Sequence, residues 1–181
     1  MLQTIFVHAI HLSNYKETYD LMISILNDRK IFVNPFYANM MVTKLVNEKY
    51  KKAIPVLEDI AYNHNLQNTD SERWIKIALV VIDPEGADIV KRKFIEWENL
   101  PETNPLKKDT PPLWPLGYSR DSTVLPIAWR HVHSERIEVK AQALGVLASL
   151  GAKLTDKEKK ILRMPKKAIC VTWKSLMDAR I

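Results

Sequence analysis

The residues of this chain that could do chemistry are mainly basic side chains near its C-terminus. Residues 151–181 contain nine lysines and arginines but three acids, whereas basic and acidic residues balance over residues 1–150. The whole net charge of +6 therefore comes from this last segment. Such a segment attracts phosphate groups through electrostatic steering and counterion release.

We predict that seven of these basic residues contact RNA phosphates. They are Lys153, Lys157, Lys159, Lys160, Arg163, Lys166 and Lys167. No aromatic side chain is interleaved among them, as would be expected in a protein that stacks single-stranded bases. An ordinary solvated helical face is therefore the alternative interpretation of the same charges.

The sequence shows no arrangement typical of a catalytic or metal site. His131 and His133 are two residues apart and would point to different faces of a helix, and His8 and His11 have no matched ligands nearby. A glycine-rich phosphate loop and a nucleophile elbow are both missing. We therefore predict a protein that is not an enzyme and that uses neither a metal nor a cofactor.

Composition favours an all-α chain. Its 181 residues are 46% hydrophobic and include only four glycines, and long stretches keep helical spacing. The single cysteine, Cys170, cannot form an internal disulfide, which favours a reducing compartment. The apolar runs are too short to predict a membrane span.

Six helices are expected between about Leu2 and Trp97, arranged as three pairs joined by short polar breaks. Pro35 suits the first turn of one helix, and Pro55 should bend or delay another. Apolar positions recur at a step of 35 residues, which predicts stacked antiparallel helix pairs that share a core. The matching positions are Tyr15 and Tyr50, Thr18 and Ala53, Leu21 and Val56, Met22 and Leu57, Ile25 and Ile60, Asn39 and Trp74, Met40 and Ile75, and Leu45 and Val80.

The stretch FYANMMVTKLVNEKYKKAIPVLEDI resembles a pentatricopeptide motif. It has an aromatic residue and then Asn39 early in the first helix, "MV" and Leu45 behind them, and "VLEDI" at the end of the second helix. The third copy departs from the pattern, with Trp74 where Asn would be expected, and the usual Gly of the break is replaced near Glu48 and Lys49. The resemblance covers about residues 1–97 and implies a tetratricopeptide- or pentatricopeptide-like α-solenoid.

Pentatricopeptide proteins are largely organellar and bind single-stranded RNA, with about one base read by each motif. Carried over by position, the resemblance implies two base-reading pairs. These are Thr4 with Asn34, and Asn39 with Thr69 or Asp70. Helix capping and ordinary polar surface are the alternative explanation for Asn34, Thr69 and Asp70.

Three regions follow along the chain. Residues 1–97 form the predicted helical repeats, residues 98–123 an irregular Pro-rich insertion, and residues 124–181 helical hairpins with a basic tail. Within the last region, Gly151 should end a helix, and Thr155 with Glu158 should form a capping box.

The favoured function at this point is a structural, RNA-associated subunit of a mitochondrial assembly. The mitochondrial ribosome is the preferred assembly, with contacts to rRNA phosphates through the basic segment and to other protein subunits through the helical array. The expected location is the mitochondrial matrix, with the cytoplasm or another organelle as alternatives. A sequence-specific RNA-binding factor and a protein–protein scaffold without RNA remain alternative functions.

Overall fold

The computed structural model describes residues 9–10, 12–13, 15–28, 30, 35–63, 70–108 and 113–162. Every regular element within these ranges is helical, which confirms the prediction of an all-α chain. The α-helices are α1 (Lys16–Asn27), α2 (Pro35–Asn47), α3 (Ile54–Asn63), α4 (Asp70–Ile82), α5 (Pro84–Glu98), α6 (Leu125–Arg130), α7 (Ile137–Ser149) and α8 (Asp156–Leu162). The chain divides into two compact units, residues 1–87 and residues 88–181.

In the first unit, each helix buries one apolar face against its neighbours. Helix α4 packs against both α2 and α3, and α1 packs against the same two helices. Helix α2 begins at Pro35, where the missing N–H removes no helical hydrogen bond. A 3-10 turn over Lys51–Ala53 precedes α3, so that Pro55 lies in its first turn, where proline is tolerated.

The step of 35 residues holds for the helix ends in the first unit. Helices α2 and α4 each have 13 residues, and both their first and their last residues are 35 positions apart. In α1 and α3 the same step relates three pairs of buried residues. These pairs are Tyr19 and Ile54, Met22 and Leu57, and Leu26 and Ala61.

Most of the buried face of α2 does not recur in α4 at that step. The predicted pair Leu45 and Val80 is buried at both positions, but the other described buried residues of α2 have no buried counterpart 35 positions later. A step of 37 residues relates four buried pairs, which are Ala38 and Ile75, Met41 and Ala78, Val42 and Leu79, and Leu45 and Ile82. Met40 and Ile75 were expected to occupy equivalent positions in the two helices. They differ in burial, because Ile75 is buried and Met40 is only half-buried. The steps of 35 and 37 differ by two residues, which corresponds to a rotation of about 200° around the helix axis. Helices α2 and α4 therefore have the same length but bury different faces.

Helix α2 ends in a Schellman motif that has lysine in the position usually taken by glycine. The N–H of Tyr50 donates to the carbonyl of Leu45 at 2.9 Å, and the N–H of Lys49 donates to that of Val46 at 3.0 Å. Lys49 has a φ of 49°. A side chain in this left-handed region costs about 1 kcal/mol relative to glycine.

Helix α7 ends in the same motif with glycine in that position. The N–H of Ala152 donates to the carbonyl of Leu147 at 2.9 Å, and the N–H of Gly151 donates to that of Ala148 at 3.1 Å. Gly151 has a φ of 81°. The prediction that Gly151 ends a helix is thereby confirmed, since no Cβ opposes this backbone conformation.

Helix α7 is the centre of the second unit, with every residue from 141 to 147 buried. It packs against α6, α8 and the 3-10 turn Trp114–Tyr118. The side-chain oxygen of buried Gln142 accepts hydrogen bonds from the N–H groups of Leu113 and Trp114, at 3.2 and 3.3 Å. The described parts of the Pro-rich region thus include turns that are fixed to α7.

A second fixed point in this unit is the carboxylate of Asp121. It accepts the N–H of Thr123 at 2.8 Å, the hydroxyl of Thr123 at 2.6 Å and the ammonium of Lys91 at 3.0 Å. The Thr123 hydroxyl, its N–H and then Lys91 stabilise the ionised form and lower the pKa of Asp121 to about 2.

The tight contact at Gly86 predicts a large effect of substitution. A Cβ at Gly86 would lie 2.0 Å from the carbonyl oxygen of Leu79, which belongs to the backbone of α4 and cannot rotate away. We expect Gly86→Ala to lower the free energy of unfolding by about 2 kcal/mol or more, measured by urea denaturation. Gly117→Ala is the control, because its nearest atom is the Ser149 hydroxyl oxygen, whose side chain can rotate. Equal losses in the two variants would contradict this.

The lowered pKa of Asp121 predicts that this residue contributes to stability in a pH-dependent way. Because its folded pKa lies below the unfolded value of about 3.9, the contribution is present above that pH and is lost as pH falls through about 2. At pH 7, Asp121→Asn should lower the free energy of unfolding by about 1 kcal/mol, allowing for solvent screening. Urea denaturation from pH 7 to pH 2 should show this difference shrink to a small fraction of its value at pH 7, because the folded carboxylate is about half protonated at pH 2. A difference at pH 2 as large as that at pH 7 would contradict the assignment.

Candidate functional site

The described part of the basic segment is a loop followed by α8, whose start is capped by its own side chains. The N–H and hydroxyl of Thr155 donate to one carboxylate oxygen of Glu158 at 2.6 and 2.8 Å, and the N–H of Glu158 donates back at 3.4 Å. This confirms the predicted capping box. The bonds from Thr155, its N–H first, lower the pKa of Glu158, and the charge of His133 adds to the effect.

Four of the predicted phosphate-contacting lysines lie in this described part, and all four are exposed: Lys153, Lys157, Lys159 and Lys160. Lys159 forms an ion pair with Asp156 at 3.2 Å. The other three have no side-chain ion pair or hydrogen bond within the described ranges. We call Lys153, Lys157 and Lys160 the lysine face. Lys157 and Lys160 are three residues apart on α8 and lie on the same side of that helix.

Only two of the remaining predicted site residues, Asn39 and Asp70, lie within the residues that the structure describes. Arg163, Lys166, Lys167, Thr4, Asn34 and Thr69 lie outside the described residues. Asp70 is the first residue of α4, and Asn39 lies within α2. The structure therefore locates one predicted base-reading side chain, that of Asn39.

The side-chain oxygen of Asn39 is buried and accepts no hydrogen bond within the described structure. The nearby hydroxyl of Thr43 donates to the main-chain carbonyl of Asn39, at 2.7 Å, and not to this side-chain oxygen. At the matching position of α4, the indole N–H of Trp74 is also buried without a partner. Reading a base through this oxygen of Asn39 would require α2 to expose it first.

One carboxylate in the second unit is held by two basic side chains. Arg130 donates from Nε and Nη2 to the two carboxylate oxygens of Glu98, at 3.0 and 2.8 Å, and His131 Nε2 lies 3.0 Å from one of them. Hydrogen bonds from Arg130 are the main cause that lowers the pKa of Glu98. This geometry joins the end of α5 to α6. Among the described residues there is no group of three side chains suited to a metal ion.

A buried cation lies at the end of α5, and no pattern in the sequence indicated it. Lys107 is 8% exposed, and its ammonium donates to the carbonyls of Trp97 and Glu98 at 3.2 and 2.8 Å. The same ammonium lies 4.5 Å from the centre of the Trp97 ring. Arg136 donates to the carbonyl of Lys107 at 2.6 Å, which fixes the turn. Lysine suits a helix C-terminus electrostatically, but ten residues of separation from Trp97 hide the contact in the sequence.

These features describe an all-helical chain with an exposed lysine face in its described part. At a significant level, the chain matches no protein-family model, no curated protein and no solved structure. None of the helices in the described ranges is long and apolar enough to span a bilayer.

The role of Lys107 can be tested by removing its charge. Lys107→Met leaves two helix carbonyls without their donor, so we expect the free energy of unfolding to fall by about 1–3 kcal/mol in thermal or urea denaturation. Lys140→Met is a matched control on α7, because no side-chain bond to Lys140 is found in the described structure. An equally small loss in both variants would contradict a structural role for Lys107.

Proposed function

We propose that this chain is a structural, RNA-associated subunit of a larger assembly. The observation that carries the proposal is the lysine face, where Lys153, Lys157 and Lys160 are exposed without a counterion in the described structure. Elsewhere in the same unit, charged groups such as Glu98 and Asp121 are held by internal partners. Unpaired surface cations in one place favour binding to a polyanion.

The chemistry of this face favours phosphate over base recognition. Lysine is a compact point charge that contacts phosphate without reading sequence. No aromatic residue occurs between positions 151 and 167, so that stretch offers no ring for base stacking. Arg163, Lys166 and Lys167, which lie outside the described residues, remain predicted phosphate contacts from the same basic segment of the sequence.

The helical array is the part of the proposal that would contact proteins. Helix α1 packs against α2 and α3, and α4 packs against α2 and α3, which is the neighbour pattern expected of stacked helix pairs. The equal lengths of α2 and α4 and their step of 35 residues support the same arrangement. We therefore propose a short tetratricopeptide- or pentatricopeptide-like stack whose copies have diverged in the faces that they bury.

The proposed location is the mitochondrial matrix, and the proposed assembly is the mitochondrial ribosome. Both rest on the resemblance of residues 36–60 to an organellar family of RNA-binding repeats. A sequence-specific factor is less well supported, because two or three motifs at about one base each would read too few bases to be selective. The buried side-chain oxygen of Asn39 also weighs against it.

RNA binding by the full chain tests the lysine face. Lys153, Lys157 and Lys160 are replaced together by Gln, and affinity is measured for a mixed-sequence RNA hairpin and for unrelated single strands at 50–200 mM salt. Loss of three phosphate contacts should reduce the slope of log affinity against log salt by about 2–3. Lys16, Lys76 and Lys140, changed together to Gln, remove the same charge elsewhere and should reduce the slope much less.

Other outcomes would favour the alternatives. A change in sequence preference caused by Asn39→Ala would support base reading instead of phosphate contact. If the unmodified chain binds none of these RNAs at 50 mM salt, the proposed function is wrong, and a protein scaffold becomes the better interpretation.

A further inference from the structure

Two residues of the described structure hold a backbone conformation that side chains disfavour, and both are basic. Lys49 has a φ of 49° and Arg120 a φ of 55°, and they are the non-glycine residues with positive φ in the described ranges. Glycine, asparagine and aspartate are the usual occupants of this region. Both Lys49 and Arg120 are exposed, so core packing does not explain their identity.

The chain itself shows that glycine can serve at such a position. Lys49 and Gly151 occupy the same place in two Schellman motifs with nearly equal hydrogen-bond lengths. The lysine at the end of α2 thus keeps a strained backbone in a motif that glycine closes without strain at the end of α7. A favourable interaction of Lys49 with the dipole of α2 contributes about 0.3–1 kcal/mol, which is comparable to that strain. Arg120 follows a 3-10 turn and has no α-helix dipole of this kind before it.

Neither cation has a counterion within the described structure. The lysines beside Lys49 are paired, Lys51 with Asp83 at 2.6 Å and Lys52 with Asp20 at 3.6 Å. The charge of Lys49 contributes least among the causes that lower the pKa of Asp83, after the hydrogen bond from Lys51.

Arg120 is in a similar situation in the second unit. The acid next to it, Asp121, is already bound by Thr123 and Lys91. The turn around Arg120 is closed without its side chain, since the N–H of Asp121 donates to the hydroxyl of Ser119 at 3.1 Å. The guanidinium of Arg120 therefore makes no contact in the described structure that would account for an arginine at this position.

We propose that Lys49 and Arg120 are phosphate-contacting residues, one in each unit, in addition to the lysine face. This inference rests on the proposed RNA association and extends it to two positions that the sequence analysis did not select. Residues held in disfavoured conformations often serve function at the expense of stability. An exposed cation in place of glycine fits that description, because its charge is the property that glycine lacks.

Replacement by glycine separates stability from binding. In the full chain, Lys49→Gly and Arg120→Gly should each raise the urea midpoint, since strain is removed, yet weaken binding to the RNA hairpin. Each should reduce the salt slope by about 0.7–0.9, so that the affinity lost between 50 and 200 mM salt shrinks about threefold. Lys49→Arg and Arg120→Lys keep the charge and should keep the slope. Lys16→Gln, an exposed lysine in regular helix, is the control for general loss of charge.

Several results would overturn the inference. A higher urea midpoint with an unchanged salt slope would show that these cations do not contact RNA, while slope loss in the lysine-face variant would leave the proposed function intact. A lower midpoint in both glycine variants would remove the argument from strain. Loss of binding to a polyglutamate peptide, but not to RNA, would assign the two residues to an acidic protein partner. If the unmodified chain binds no RNA, both proposals fail together.

Discussion

The structure depends on the burial of helix faces that no single helix can bury alone. In the first unit, α4 contacts both α2 and α3, so its apolar residues are removed from water only when those neighbours are in place. In the second unit, the run of buried residues 141–147 makes α7 the support for α6, α8 and the turn Trp114–Tyr118. Apolar burial supplies most of the favourable free energy of folding, at roughly 25 cal/mol per Å². The lysine face is displayed by α8, which itself packs on α7.

Some charged side chains of the second unit bind partners within the fold, whereas others are exposed and have no partner in the described structure. Lys107 is buried against helix carbonyls and the Trp97 ring, and Glu98 is bound by Arg130. Such groups are satisfied within the fold, since a buried charge is stable only with partners. The lysine face differs, because its ammonium groups have no internal partner in the described structure. This contrast is the physical basis for the proposal that one set of cations binds an external polyanion, whereas the other set stabilises the fold.

Short-range features could be predicted from the sequence. The end of α7 at Gly151, the start of α2 at Pro35 and the Thr155–Glu158 capping box are all present. Each depends on residues within about one helical turn, so residue type and spacing suffice. The all-α class follows from periodicity of the same kind, and it is confirmed in the described residues.

By itself, the sequence determined the start of α2 at Pro35, the end of α7 at Gly151, the capping box of α8 and the place where net charge accumulates, because these properties depend on local residue types. The tertiary structure decided which helix faces are buried: α2 and α4 share a step of 35 residues in their ends, but one of 37 in their cores. It also decided that Lys107 is buried and that the side-chain oxygen of Asn39 is inaccessible. Those outcomes depend on neighbours that are distant along the chain, whose positions are set by packing of the whole unit.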